Sequence, residues 1–490
     1  MKSCCISLLM LLSFTCMQAR NVKLSDFGIS AVNSNNTEGF LKLSEYLKGK
    51  NDITISFPKG TYYIGQQKNS NKTVVENIQN IFTIENASGI TIIGNGAKIK
   101  YVDRLMYGAF EIGSKKKLTH NTAFSKAENA AYPGNCIKIF NSNNITISNL
   151  ELDGNSEKMI IGGRYGDVGI QLWHRGFYII NSYDVRLKQV NIHHFGLDGI
   201  ELTNDMMKTG KSPYQLTLSN VNCKYNGRQG ISWVGGNGLF IENSTFSYTG
   251  RANLCSAPGA GIDIEPEVGM CKNGLFVNCK FEDNCGPGFV SDLHKLKTEN
   301  IVFNACTFYG TTACAVWAHN ADIHINNSTI FGQILSPSGG SENEKTVFNN
   351  CDIYDYNNLT NKKAFFTNFL IDAGGNQKFY EIVGSRIYLK YAKLCYLESG
   401  SASETAMPLF KNNTVYFNHD QIASADFVAL FRGCVLQNNR FEFNIKKIPD
   451  NGLYLVTGHT MKFLGKNTIL GKNSKVGWNS PGGTKIIDEK

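Results

Sequence analysis

The chain has 490 residues, a formal net charge of +9, 42% hydrophobic residues and 18% charged residues. The positive charge is scattered without a Lys/Arg-rich run, which argues against a nucleic-acid partner, and no segment beyond the N-terminus is apolar enough to span a membrane. With Gly 48 and Pro 10, many asparagines and no Pro/Ser/Gly linker, the composition points to one continuous body with many turns.

Residues 1–19, MKSCCISLLMLLSFTCMQA, start with Lys2 and continue into an apolar run too short to span a bilayer. This reads as a secretory signal peptide cleaved after Ala19, and the expected location is outside the cell or in its envelope. Three of the Cys 14, namely Cys4, Cys5 and Cys16, lie in that leader. The remainder is an odd number, so at least one thiol is unpaired, and no Cys/His spacing matches a zinc site. Cys279, Cys306 and Cys351, each just after a turn residue, are expected to form an internal ladder of buried thiols.

Further along, Phe40, Leu43 and Leu47 share one stripe of a short amphipathic helix with Thr37 available as its cap. FPKGTYYI then gives the end of one strand, a Pro-Lys-Gly turn and a second strand. LSDFG at 24–28, this helix and FPKGTYYI together resemble the N-terminal cap of secreted pectate-lyase-like proteins with a right-handed parallel β-helix. The resemblance implies that the helix covers the open end of a strand stack. Residues 20–65 are then the cap and residues 66–490 the β-helix.

From there a phrase recurs: apolar-x-apolar, a small residue or Asn, two residues, then Phe, Ile or Leu. It occurs as ITISNLEL, LTLSNVNC, LFIENSTF, LFVNCKF, IVFNACTF, IHINNSTI, TVFNNCDI and EIVGSRI. Its turn residues fall at 149, 189, 220, 243, 278, 305, 327, 350 and 384, with weaker copies near 412, 438 and 466. The shortest interval, 305 to 327, is 22 residues, the length of one three-strand coil, and longer intervals carry loops. Period-two alternation with no ten-residue helical stripe excludes helical and leucine-rich repeats. The expected fold is all-β: a right-handed parallel β-helix of about 11–12 coils with a short capping helix.

A second strand follows each turn. Counting ten residues from 189, 220, 278 and 305 gives Gly199, Gly230, Gly288 and Ala315, and the two coils with insertions supply Gly169 and Gly261. The stacked strands are then GIQLWHR, GIELTND, GISWVGG, GIDIEPE, GFVSDLH and AVWAHN. Alternation turns Trp173, Arg175, Glu201, Ser232, Asp263, Glu265, Glu267, Asp292, His294, Trp317 and His319 outward and Trp233 inward. Loops at 155–166, 204–213 and 249–259 are expected to wall a groove beside these strands.

The candidate catalytic residues are Asp263, Glu265 and Asp292. Adjacent coils place Glu265 and Asp292 about 5 Å apart along the backbone and Asp263 and Asp292 on a diagonal of roughly 8 Å, near separations that glycosidases use. Close carboxyls also raise one another's proton affinity, as a general acid requires. Glu201, Trp173, Arg228, His294, Trp317 and His319 are the candidate substrate-binding residues, with the indoles available to stack on sugars. His193-His194 sits at a turn and is weighed as a ligand pair against a surface reading.

The polygalacturonase motifs Asn-Thr-Asp, Asp-Asp, Gly-His-Gly and Arg-Ile-Lys are absent in place. GIDIEP resembles in position the Gly-Ile-Asp-Pro-His-Asp stretch of β-helical mannuronan epimerases, without its His. The resulting expectation is a secreted polysaccharide-degrading glycoside hydrolase that needs no cofactor. Two alternatives stay open. One is a uronate lyase or epimerase in which Arg175, Arg228, Lys272 or Lys295 holds the substrate carboxylate, or Asp263, Glu265 and Asp292 hold calcium. The other is a glycan-binding or surface structural protein without catalysis. Oligomeric state is not encoded in any pattern found.

Overall fold

The computed structural model describes residues 20–166, 169–291, 296–319, 322–375, 377–399, 406–420, 422, 427–471, 475–480 and 485–489. The leader and the expected site residues Asp292, His294 and Lys295 lie outside the described residues. The chain is a right-handed parallel β-helix. Parallel strands stack rung on rung into a 14-stranded sheet and a 27-stranded sheet whose two halves meet at a corner. No helix among the described residues is long and apolar enough to cross a membrane.

One α-helix, Thr37–Leu47, buries Phe40, Leu43 and Leu47 and packs Phe40 on Phe82 with ring centroids 5.6 Å apart. Its stripe is as expected, but Thr37 is not the cap. Asn36 holds the N-cap position, and the Thr37 hydroxyl instead accepts the Gly65 N–H at 2.8 Å, tying the helix to the end of strand Thr61–Ile64.

All nine turn residues counted from the sequence, 149 to 384, have left-handed backbone with φ between 49° and 60°. Asn tolerates this region best, since its short amide bonds locally. Here the amides also bond between rungs, Asn278 to Asn243 at 2.7 Å and Asn350 to Asn327 at 2.6 Å. The next residue inward forms a second ladder. Cys279, Cys306 and Cys351 are buried, and the Cys306 and Cys351 N–H groups donate to the hydroxyls of Ser328 and Ser385 at 3.0 and 3.1 Å. Cys255 is exposed and Cys285 half-buried, so the thiols are not uniformly interior.

Inside, like side chains stack: Phe276 lies on Phe303 at 4.3 Å and Phe281 on Phe308 at 5.2 Å, and Trp233 is fully buried. Each coil thus completes its neighbour's core, which is why no coil stands alone. The sheet of 14 strands exceeds the about 11–12 coils expected: Asn80–Glu85 leads into Ser88–Tyr101, a strand without the recurring phrase, and Val476–Asn479 follows the last counted turn, near 466.

The glycine column follows the expected register from Gly199 onward, with Ile200 beside Ile231, Ile231 beside Ile262, Ile262 beside Phe289 and Phe289 beside Val316. Before Gly199 the count fails. The stacked strand there is Phe177–Ile180, so Gly176 rather than Gly169 precedes Gly199, and GIQLWHR is a loop. Burial still alternates there, with Leu172 and His174 inside and Trp173 exposed, but His174 Nδ1 accepts the Gly196 N–H at 2.8 Å and the segment serves as the approach to strand Phe177–Ile180. A Cβ on Gly230 would lie 2.4 Å from the Gly261 carbonyl oxygen, whereas one on Gly477 meets nothing within 4 Å. Gly230→Ala is therefore expected to destabilise by about 1–3 kcal/mol and Gly477→Ala by nothing measurable, read from denaturant midpoints.

Candidate functional site

The site is built on the 14-stranded sheet. Register places Tyr178, Glu201, Ser232, Asp263, Val290 and Trp317 in one outward column, one per rung. The residue before each glycine supplies a second row, in which Asp198 lies beside Gln229 and Gln229 beside Ala260. Rungs are about 4.8 Å apart, so side chains from several coils converge.

What converges is a charge network. Arg228 grips Asp198 through two parallel bonds, Nε to Oδ1 at 2.8 Å and Nη2 to Oδ2 at 2.7 Å. Arg175 Nε donates to Glu201 Oε2 at 2.5 Å, lies 3.6 Å from Asp198 Oδ2, and its guanidinium sits 4.9 Å over the Tyr178 ring. Gln229 Nε2 donates to Asp263 Oδ2 at 2.5 Å. Bidentate, charge-assisted geometry of this kind fixes orientation as well as contributing energy.

Solvent access is graded. Asp198 is 0% exposed, Asp263 2% and Glu201 8%, while Glu265 is half-buried and Glu267 exposed. Burial raises the Glu201 carboxyl above its ordinary range against the opposing pull of Arg175, with Asp198 adding to the rise. Burial likewise raises Glu265, opposed by Arg228 and assisted by Glu267 and Asp198. Two acids whose pKa values are raised by burial sit beside Asp198, which is paired with guanidiniums, an arrangement suited to acid/base work.

The sequence expectation and this network overlap in part. Glu201, Arg228, Asp263 and Glu265 come together. Asp263 is not solvent-facing as expected: it is in the floor, held by Gln229, and Glu265 is the accessible acid. Trp317 is half-buried in the Asp263 column two rungs on, and the backbone N–H of half-buried His319 donates to Ser291 O at 3.1 Å on the neighbouring rung. Trp173, expected on a strand, is on the loop before Arg175, 38% exposed, with its ring 5.8 Å from Tyr132. Lys272 is not at this face. It belongs to strand Cys271–Val277 of the other sheet and pairs with Glu299 at 2.8 Å. Sequence reading missed Asp198 and Gln229, since counting began at the glycine; the recurring polar residue before Gly199 and Gly230 was the available signal.

Two of the three expected loops converge on a cleft of about 670 Å³, lined by Ile161–Arg164 and Asn253–Ser256 together with Lys117 and His120. It adjoins the network: Gly196 is in its wall, and the Ser256 N–H bonds to Gly227 O at 2.9 Å, one residue before Arg228. The 204–213 loop goes elsewhere, with Thr209–Pro213 lining a separate cleft of about 330 Å³.

Residues 137–333 match the family described as right handed beta helix region. No curated protein matches the chain. Among solved structures it is similar to the A-module of mannuronan C-5 epimerase AlgE4 from Azotobacter vinelandii, at 12% identity and TM-score 0.43 over 96% of this chain and 100% of that one. It is also similar to the catalytic domain of a GH87 alpha-1,3-glucanase in complex with nigerose, at 11% identity and TM-score 0.37 over 95% of this chain and 69% of that one. A putative glycosyl hydrolase from Parabacteroides merdae aligns at 15% identity and TM-score 0.29 over 59% of this chain and 95% of that one.

Proposed function

We propose that the protein is a polysaccharide-active enzyme, exported through the leader at 1–19, that cleaves glycosidic bonds by hydrolysis at the Glu201, Asp263 and Glu265 face. The observation that carries this reading is the accessible Glu265, its pKa raised by burial, two residues from Asp263 on one rung. Glu265 would protonate the leaving oxygen, and Asp263, anchored by Gln229, would serve the opposite role of nucleophile or base. Arg228 and Arg175 hold Asp198 and Glu201 in place.

A second reading has its own support. Among the described residues the adjoining cleft is lined by Lys117, His120 and Arg164 and by no acidic side chain, which would suit a uronate carboxylate. Elimination or epimerisation would then replace hydrolysis, with a network carboxylate as base. The deciding assay is incubation with neutral and uronic polysaccharides. New reducing ends without an unsaturated product support hydrolysis; ultraviolet absorbance of an unsaturated uronate supports a lyase; binding without any product leaves the non-catalytic alternative.

The hydrolytic reading also fixes a pH dependence. Glu265 must be protonated, and its pKa is raised above 4.5, so kcat/KM should fall as pH climbs through that raised value. For stability, a raised folded pKa contributes fully below the unfolded value and is lost as pH rises through the folded one. A Glu265→Gln variant should therefore gain stability relative to wild type at neutral pH and lose that advantage in acid, as thermal melts across pH would show.

A further inference from the structure

Away from the carboxylate face, the corner where strand Tyr183–His193 ends gathers another set of donors. Parallel pairing with strand Asn143–Asp153 sets Asp153 directly beside His193. His194 then adopts left-handed backbone, φ 57°, which breaks strand alternation and lets two consecutive imidazoles meet. Their Nδ1 atoms are 2.8 Å apart with the rings at 89°, and Asp153 Oδ1 is 3.7 Å from His193 Nδ1.

We propose that Asp153, His193 and His194 form a binding site for a first-row divalent transition-metal ion, with zinc as its representative. One ligand atom from each lies within 4.8 Å of the others, close enough to share an ion. The surroundings orient each donor. Glu151 Oε1 is 3.0 Å from His193 Nε2, and in the tautomer that donates there, the Nδ1 lone pair is directed at His194. A carboxylate behind a ligating imidazole is the usual outer-sphere support of a metal site. Asp153 Oδ1 accepts the Asn155 N–H at 2.8 Å, and the His194 ring is stacked on Tyr225 at 5.2 Å, itself stacked on Tyr248 at 5.0 Å.

The donor set selects the ion class. Two imidazoles and one carboxylate favour zinc and its neighbours over calcium or magnesium, which take mostly oxygen. Of the nearby cations, Lys98 Nζ binds Glu151 at 2.7 Å, Lys100 Nζ lies 3.4 Å from the other Asp153 oxygen, Oδ2, and Lys224 stands beside His193 in the register on the wall of the same cleft. Glu157 Oε1, 3.7 Å from His194 Nε2, adds negative charge on the far side. The corner opens on a cleft of about 330 Å³ that includes Asn191, Asn222 and Tyr225, so coordination positions stay open to water or a ligand rather than closed by a fourth side chain.

The test is calorimetric titration of the mature protein, without a histidine tag, with zinc chloride at neutral pH. One ion should bind per chain and raise the melting temperature. His193→Ala/His194→Ala should abolish binding, and Asp153→Asn, which keeps the bond to Asn155, should weaken it at least about tenfold. Glu151→Gln should weaken it about 10–100-fold without removing a ligand. No uptake by the wild type overturns the proposal. So does unchanged affinity in the double variant or, should that variant fail to fold, unchanged affinity in both Asp153→Asn and Glu151→Gln.

Discussion

Glu265→Gln and Asp263→Asn are each expected to lower turnover by at least about a hundredfold while the fold survives, the scale for losing a positioned acid or base. Both replacements preserve shape, and the amide oxygen introduced by Asp263→Asn would still accept from Gln229 Nε2, so the change is confined to proton transfer or nucleophilicity. Because these groups act in the transition state, kcat and kcat/KM should fall together with little change in KM. Glu267→Gln is the milder comparison: exposed Glu267 helps raise the Glu265 pKa, so its variant should keep turnover near wild type while moving the falling limb of kcat/KM to lower pH. Near-normal turnover in both test variants on a confirmed substrate would remove the catalytic assignment and leave the β-helix untouched. A binding-only protein would instead show altered glycan affinity and no turnover to lose.

The fold was legible in the sequence because each coil repeats a short physical instruction: alternate apolar residues, then a residue that tolerates left-handed backbone. That instruction holds at Asn149 through Gly384, and even Ala305 and Gln189, poor left-handed residues, obey it because their neighbours above and below do. It failed at GIQLWHR, where Leu172 and His174 face inward in strand-like alternation yet the rung's strand is Phe177–Ile180, because alternation alone does not say which segment pairs. The coil of Asn80–Glu85 was not counted because its following strand, Ser88–Tyr101, lacks the phrase. The acid face was legible as a column, since register fixes which residues neighbour one another, but depth was not. Alternation predicts that Asp263 points away from the core, and it does; whether loops and neighbouring side chains then cover it depends on packing that strand periodicity does not encode. Asp198 escaped notice because counting began at Gly199, one residue into the strand Asp198–Thr203, although Arg228 and Arg175 both turn towards it.

Arg228→Ala should be the most destabilising change at this face, because it strips both bonds from a carboxylate with 0% exposure. Asp198 would keep only Arg175 Nε at 3.6 Å, and breaking a buried pair from one side costs about 3–5 kcal/mol. Asp198→Asn should cost less, since the Arg228 side chain is 17% exposed and Glu201 is already 3.9 Å from its Nη2. Combining Arg228→Met with Asp198→Asn removes both charges and should recover part of the loss, so a double-mutant cycle on denaturant unfolding should give a coupling of at least about 1 kcal/mol. Additivity within about 0.5 kcal/mol would show that the pair is not coupled. The same substitution reaches the chemistry. Arg228 pulls the Glu265 pKa down against its burial, so removing the guanidinium lets that pKa rise further. Any Arg228 variant that still folds should therefore carry the falling limb of kcat/KM to higher pH than wild type, whereas an unmoved limb would separate Arg228 from the acid that hydrolysis requires.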